Sequence, residues 1–141
     1  MRIKIIYDKE LNWLKIPVTL KTPHKRISVF IIFDTGSPNT LVNYIDSRRL
    51  NIPFTESFGS ASIGGNKYKS YSYNKLEVLF KTTQDQIISE EMPIKILRPS
   101  LKSNELEELD DLPNLLGLDF LKKGWRFFCD INNNEIYFEK E

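Results

Sequence analysis

One stretch of the sequence, SVFIIFDTGSPNTLVN at residues 28–43, carries residue types that could perform acid–base chemistry. A mostly apolar run, Ser28 to Phe33, leads directly into the carboxyl group of Asp34. A buried carboxylate costs several kcal/mol unless it is paired or hydrogen-bonded. A chain that places one at the end of an apolar strand therefore has a use for it, and we predict that Asp34 is a general acid or base.

The residues after Asp34 suit a loop that holds its carboxylate in a fixed orientation. Gly36 allows a close backbone approach and offers its amide, and the hydroxyl of Thr35 can donate or accept a hydrogen bond. Ser37 completes the Asp-Thr-Gly-Ser stretch, and Thr40 could tie the loop back on itself. A simpler interpretation also fits, because Asp-x-Gly is common turn chemistry at the end of a strand.

Strand patterns dominate the elements that must position this loop. Alternation or short apolar runs predict strands over RIKIIY, NWLKIPVTL, KRISVFIIF, YNKLEVLF and EEMPIKIL. Short helices are predicted over YIDSRRLNI, which Pro53 stops, and over LDFLKKG. The segment WRFFCDINNNEIYFE predicts a hairpin that turns at residues 132–134. The pattern indicates a single, mostly β domain over residues 1–141 with one or two short helices.

Two further motifs follow Asp34 along the chain. The stretch SIGG at residues 62–65 lies in a polar, tyrosine-rich segment and predicts a hairpin that projects into solvent. Farther along, Leu115, Leu116 and Gly117 precede the second predicted helix. A glycine at position 117 would allow the apolar pair to pack directly under the Asp34 loop, because a Cβ would block that approach.

With these motifs the sequence resembles the retropepsin-like aspartic proteases, the single-domain retroviral and cellular relatives of pepsin. In that family a D-T-G-[AS] loop is paired with two apolar residues, a glycine and a short helix, and a glycine-containing hairpin forms a flap over bound peptide. The resemblance spans the chain in order and implies a closed β-barrel of the acid protease fold. It implies that the flap contains Ser62, Ile63, Gly64 and Gly65. The acidic segment 100–111 is longer than the compact retroviral pattern needs, and we expect a solvated face there.

The chain has only one Asp-Thr-Gly, whereas pepsin-like chemistry needs two carboxylates within hydrogen-bonding distance of one water. Two carboxylates that close share a proton, so one acts as base and the other as acid. A chain with one motif can supply both only by two-fold symmetry. We therefore expect a homodimer whose paired Asp34 residues hydrolyse peptide bonds in a peptide or unfolded protein. A catalytically silent dimerisation or peptide-binding module of the same fold is the alternative.

The resemblance also implies that the N- and C-terminal strands of two copies interleave. The candidate strands are RIKIIY and EIYFE, which are too apolar to be left as bare edges. The net charge is close to zero, with 20 Lys and Arg against 19 Asp and Glu. This balance argues against nucleic acid as a partner. Neither a secretory leader nor a membrane-spanning apolar run is recognisable, so a cytoplasmic protein with no membrane partner is expected.

Other chemistries have little support in the sequence. The single cysteine, Cys129, excludes an intramolecular disulfide and a thiolate zinc cluster, so no metal and no cofactor are expected. A Cys–His site would need His24, the only histidine, and Cys129, which we expect to pack as a small apolar residue of a terminal strand. Asp119 is expected to cap or bond a loop rather than to catalyse. Core or interface positions are expected for Trp13, Trp125, Phe127 and Phe128.

Overall fold

The structure, a computed structural model, describes residues 1–54, 57–63, 66–99 and 112–141, with the backbone alone for 57–63, 66–68 and 99. No helix in these ranges is long and apolar enough to cross a membrane. In chain order the elements are β1 (Arg2–Lys4), β2 (Ile6–Asp8), β3 (Trp13–Lys21), β4 (Arg26–Phe33), β5 (Thr40–Asn43), α1 (Tyr44–Arg49), β6 (Ser57–Ile63), β7 (Asn66–Lys81), β8 (Ile87–Pro99), β9 (Asn114–Leu116), a 3-10 helix (Leu118–Lys123), β10 (Arg126–Asp130) and β11 (Glu135–Glu139).

The larger sheet has the strand order β2-β3-β4-β9-β5-β8-β7-β6. The strands predicted over NWLKIPVTL and KRISVFIIF are present as β3 and β4, which pair from Lys15↔Ile32 to Lys21↔Arg26. β3 also pairs with β7, for example at Val18↔Phe80. The pairing therefore runs from β3 through β4, β9, β5, β8 and β7 and returns to β3, as a barrel requires.

Strand alternation fills the inside of this ring with apolar side chains. Leu76, Val78 and Phe80, which alternate along β7, are each 0% exposed. From β4, Ile31 and Phe33 join the same buried cluster. Burial of large apolar side chains is the main stabilising term of such a domain, at roughly 1.5–3 kcal/mol for each.

A second sheet contains both chain ends in the order β1-β11-β10. Its inner face buries Ile3 and Phe138, and Phe33 of the barrel packs on Phe138 at 4.9 Å and on Phe127 at 4.7 Å between ring centroids. The predicted terminal hairpin is therefore present. It lies directly beneath the end of β4.

The interleaved termini expected from the resemblance are not what a single chain shows. RIKIIY is two strands rather than one, because Ile5 turns into the core, is 1% exposed and donates its N–H to the Ile136 carbonyl at 2.9 Å. β1 pairs with β11 of the same chain and β2 pairs with β3. Since β10 pairs with the other side of β11, both of its edges are occupied within the chain.

Cys129 is also not the packed apolar residue that the sequence predicts, since its side chain is exposed. Along its strand, β10, only Phe127 and Asp130 are partly buried, and Arg126, Phe128 and Cys129 are exposed. The expectation for Trp125 is correct, with 2% exposure, whereas Phe128 is 44% exposed.

The helix α1 forms where the sequence predicts it and ends before Pro53. The side chain of Asn43 caps it by accepting the N–H of Asp46 at 2.8 Å. The buried Asn114 of β9 donates to Asp46 at 2.8 Å and accepts the N–H of Asn43 at 2.8 Å. This polar network, which the sequence analysis did not anticipate, joins α1 to β9 and so fixes the segment that leads into Gly117.

Candidate active site

Asp34 lies directly after β4, where the chain leaves the barrel. Its N–H donates to the carbonyl of Leu116 at 3.0 Å, and its half-buried side chain accepts the N–H of Gly36 on Oδ1 at 2.8 Å. Its carbonyl accepts the N–H of Ser37 at 3.1 Å. The loop therefore orients the carboxylate through one oxygen, and no described residue donates a hydrogen bond to Oδ2.

At Gly117 the segment that follows β9 lies in close contact with the Asp34 loop. A Cβ at this position would lie 2.4 Å from the carbonyl oxygen of Asn39 and 2.7 Å from that of Ser37, closer than real Cβ atoms come. The N–H of the next residue, Leu118, donates to the Ser37 carbonyl at 2.8 Å. The glycine therefore has the close-approach role that the sequence predicts.

Thr40 ties the loop to the 3-10 helix. The fully buried Thr40 donates its hydroxyl to Oδ1 of Asp119 at 2.7 Å and its backbone N–H to Oδ2 at 3.1 Å. Its hydroxyl oxygen also accepts the N–H of Gly117 at 3.2 Å. The expectation that Asp119 bonds to a loop is correct, and the Asp119 carboxylate is a buttress of the Asp34 loop.

The two hydroxyl residues beside Asp34 differ in environment. Ser37 is 8% exposed and donates its hydroxyl to the Asn39 carbonyl at 2.6 Å, so it stabilises the loop from within. Thr35 is exposed next to Asp34, where a substrate or a second copy of the chain could reach its hydroxyl.

A cavity of about 490 Å³ opens beside Asp34. Asp34 is the only ionisable side chain among the described residues that line it. One carboxyl group in a mostly apolar site is the arrangement expected of a binding cleft with one reactive group. Apolar lining comes chiefly from Trp13, Leu14, Ile32, Leu41, Leu97 and Leu115.

The apolar wall includes side chains that alternate with the core along the barrel strands, and Phe33 of the core also lines it. In β4, Ile32 lines the cavity between Ile31 and Phe33, which belong to the core. The predicted apolar pair divides in the same way, since Leu116 is fully buried while Leu115 lines the cavity. The expectation that both pack under the loop is therefore wrong for Leu115, because successive residues of a strand point to opposite faces.

The segment for which a flap is expected lies in the β6–β7 hairpin. Ser62 and Ile63 end β6, where they pair with Lys67 and Asn66. Gly64 and Gly65 lie outside the described residues, as does the acidic segment 100–111.

The turn between β2 and β3 also lines the cavity, which the sequence does not predict. Asn12 has φ of 54° and lines the cavity with Trp13, which had been expected only in the core or an interface. Asp8 organises this turn by accepting the N–H groups of Glu10 at 3.0 Å and Leu11 at 3.2 Å. The backbone hydrogen bond from Leu11, ahead of those from Lys15 and Glu10, lowers the pKa of Asp8. The side chain of Asn12 also accepts the Tyr7 hydroxyl at 2.5 Å.

Comparison with known proteins identifies the architecture. No family model matches the sequence, and no curated protein matches it. Among solved structures, a retropepsin-like aspartic protease from Rickettsia conorii is similar over 99% of this chain and 98% of its own, with a TM-score of 0.62 and 13% identity. The retroviral protease-like domain of Ddi1 from Leishmania major is similar over 88% and 86%, with a TM-score of 0.51 and 15% identity. The chain has a retropepsin-like, mostly β fold with short helices.

Proposed function

We propose that the protein is an aspartic endopeptidase whose active form is a homodimer. The observation that carries the proposal is the isolation of Asp34: it is the only ionisable side chain among the described residues lining an apolar cavity. Its loop is fixed by Gly36, Thr40 and Gly117. The retropepsin-like fold supports the proposal, since the loop occupies the strand end at which the family pattern places its aspartate.

Catalysis would require the Asp34 side chains of two copies around one water. The ionised Asp34 takes a proton from the water as its oxygen bonds to the scissile carbonyl carbon, and the protonated Asp34 donates to the carbonyl oxygen. The Asp34 that took up the proton then gives it to the amide nitrogen as the carbon–nitrogen bond breaks, while the other Asp34 takes a proton from a hydroxyl of the intermediate, so the pair again holds one shared proton. Each loop exposes one face of the carboxylate, because only Oδ1 is held by the Gly36 amide.

The cavity fits an extended peptide with apolar side chains. Ile32, Leu41 and Leu115 offer an apolar wall beside Asp34, and the β6–β7 hairpin is placed at the end of the larger sheet, where it could cover a bound strand. We propose that the flap includes Ser62 and Ile63 together with Gly64 and Gly65, which lie outside the described residues. The single domain over residues 1–141 and the cytoplasmic location stay predictions.

Cleavage of unfolded casein by the purified protein tests the proposal. Activity should be highest at mildly acidic pH, where one of two neighbouring carboxylates is protonated. The Asp34→Asn variant keeps the shape and the acceptor for the Gly36 amide, so it should fold and lose at least about a thousand-fold in kcat, as when an essential group is removed. A statine-type mimic of the tetrahedral intermediate should inhibit the wild type.

The matched control is Asp119→Asn, which alters a carboxylate that bonds Thr40 but does not line the cavity. It should lower stability while keeping measurable activity. A wild type that binds the mimic without cleaving casein would indicate the silent peptide-binding module instead. Equal cleavage by wild type and Asp34→Asn would overturn the role of Asp34.

A further inference from the structure

We infer that two copies of this chain join through β10, paired antiparallel to itself about a two-fold axis at Phe128. The inference rests on the proposed function in one respect: a single Asp34 is half of a catalytic pair and needs a second copy. It replaces the interleaved termini expected from the sequence, since β11 has no unpaired edge in this structure.

The smaller sheet, in the order β1-β11-β10, has two outer strands that a second copy could extend. β11 is the middle strand. The outer side of β1 is partly occupied, because the carbonyl of Arg2 accepts the N–H of Thr83 at 2.9 Å. β10 has no partner on its outer side among the described residues. It is therefore the edge that a second copy can extend by strand addition.

The hydrogen bonds of β11 determine which backbone groups of β10 point outward. Ile136 and Lys140 bond toward the β1 side, since the Ile136 carbonyl accepts the N–H of Ile5 and the Lys140 N–H donates to the Met1 carbonyl, each at 2.9 Å. Alternate residues of a strand direct their N–H and C=O to the same side. Tyr137 therefore bonds toward β10, where it lies opposite Phe128.

It follows that the intervening residues of β10, Phe127 and Cys129, direct their N–H and C=O groups away from β11. No described residue bonds to these groups. A second β10 could accept and donate here without breaking any hydrogen bond within the chain.

The position of the two-fold axis along β10 sets the register in which the two strands would pair. A two-fold axis at Phe128 makes Phe127 and the partner's Cys129 a hydrogen-bonded pair, which the direction of their backbone groups allows. It also places Arg126 opposite the partner's Asp130, so the axis creates two opposite-charge pairs. An axis at Phe127 or Cys129 creates neither. Opposite charges facing each other across strands favour a register by roughly 0.2–1 kcal/mol each.

The outer edge at β10 also carries exposed apolar side chains. Phe128 is 44% exposed, Ile131 is 46% exposed, and the side chain of Cys129 is exposed. An unpaired strand with exposed apolar side chains is an association site unless it is covered. Pairing of two β10 strands would cover Phe128 with its symmetry mate.

Aromatic packing connects β10 to the strand that carries Asp34. Phe127 packs on Phe33 with ring centroids 4.7 Å apart, and Phe33 directly precedes Asp34. The strand that meets the partner therefore lies beneath the loop that carries the carboxylate. We infer that a two-fold axis here brings the two Asp34 loops toward each other, as a shared catalytic pair requires.

Disulfide cross-linking tests the register. Phe128 would form a non-hydrogen-bonded pair with its mate, with Cα atoms about 4.5 Å apart, which is within the range that a disulfide spans. The double variant Phe128→Cys, Cys129→Ala should form a covalent dimer under mild oxidation. The matched control Asp130→Cys, Cys129→Ala should not, because that cysteine would face the partner's Arg126. Cross-linking of the control alone, or of neither, would overturn the register.

Two pairs of variants test the edge itself by sedimentation velocity. Cys129→Pro removes an N–H that points outward, so the chain should fold, as proline is tolerated on edge strands, and should lose the dimer that Cys129→Ala keeps. Arg126→Asp should weaken the dimer at least five-fold in Kd, and adding Asp130→Arg should restore it. A dimer unaffected by both Cys129→Pro and Arg126→Asp would exclude this interface.

These results separate the interface from the activity. Cross-linking at Phe128 in a protein that never cleaves casein would support the interface and overturn the protease. Cleavage by a dimer that resists cross-linking at Phe128 and tolerates Cys129→Pro would overturn the interface and support the protease.

Discussion

At the residue scale, the Asp34 loop is held by contacts that depend on side-chain identity. Gly36 supplies the amide that orients Oδ1 at 2.8 Å, and Thr40 serves as both donor and acceptor between Asp119 and Gly117. A hydroxyl is required for this double role, because valine of the same shape would leave a buried N–H and a carboxylate without their partner. The loop is therefore pre-organised before any substrate binds.

Gly117→Ala should be strongly destabilising, because its Cβ would lie 2.4 Å from the Asn39 carbonyl oxygen. The loop backbone would have to move, and overpacking of this kind costs about 1–3 kcal/mol or more. Urea denaturation should show that loss, together with loss of casein cleavage from a displaced Asp34. The control is Gly36→Ala, whose Cβ would meet only the Asp34 side chain at 3.2 Å. Equal stability of the two variants would contradict the packing role of Gly117.

Residues with a unique physical role were the ones that sequence could predict. An aspartate after an apolar strand and a glycine between apolar residues and a helix each imply a specific requirement, and the structure places Asp34 and Gly117 together. Asn12 and Asn114 carry no such signal, because an isolated asparagine fits many turns. Only tertiary structure shows Asn114 buried against Asp46, or Asn12 at the cavity.

At the scale of elements, strand alternation creates two surfaces from the same segments. β4 and β9 direct Phe33 and Leu116 into the core, and Ile32 and Leu115 into the cavity. The sequence predicts these strands because they are apolar, but an apolar residue on either face has the same hydropathy. Hydropathy therefore predicts these strands but not which of their apolar side chains line the cavity.

The turn between β2 and β3 should respond to acid through Asp8. Hydrogen bonds, led by that from Leu11, lower its folded-state pKa, so Asp8 stabilises the turn above its unfolded pKa of about 3.9 and loses this effect as the pH falls through the folded value. The turn should therefore stay intact at the mildly acidic pH expected for catalysis. It should open only at lower pH.

Trp13 reports on this turn. In a Trp125→Phe background it is the only tryptophan. Its emission should stay constant at mildly acidic pH and change only below the ordinary aspartate pKa of about 3.9, because the pKa of Asp8 is lowered. The change should be absent in Asp8→Asn, whose side chain does not titrate. An identical acid transition in both proteins, with unchanged circular dichroism, would assign it to another group.

At the scale of the whole molecule, the sequence showed that both terminal strands need a partner but not which one. RIKIIY and EIYFE satisfy each other inside one chain as β1 and β11, because the ends of the chain meet at the same sheet. Among the residues that the structure describes, that pairing leaves β10 with an unpaired edge, and Cys129, expected to be buried, is exposed on it. Whether the partner of an apolar strand is internal or external depends on chain geometry, which periodicity alone does not contain.

In the proposed dimer the active site is shared, so an inactive copy would impair the active copy with which it pairs. Mixing wild type with an equal amount of Asp34→Asn and allowing subunits to exchange should halve casein cleavage, because about half of the wild-type chains then pair with an inactive partner at random. A tenfold excess should leave about a tenth. The double variant Asp34→Asn, Cys129→Pro should not inhibit, since it cannot pair through β10. Undiminished cleavage in the presence of excess Asp34→Asn would show that each chain acts alone.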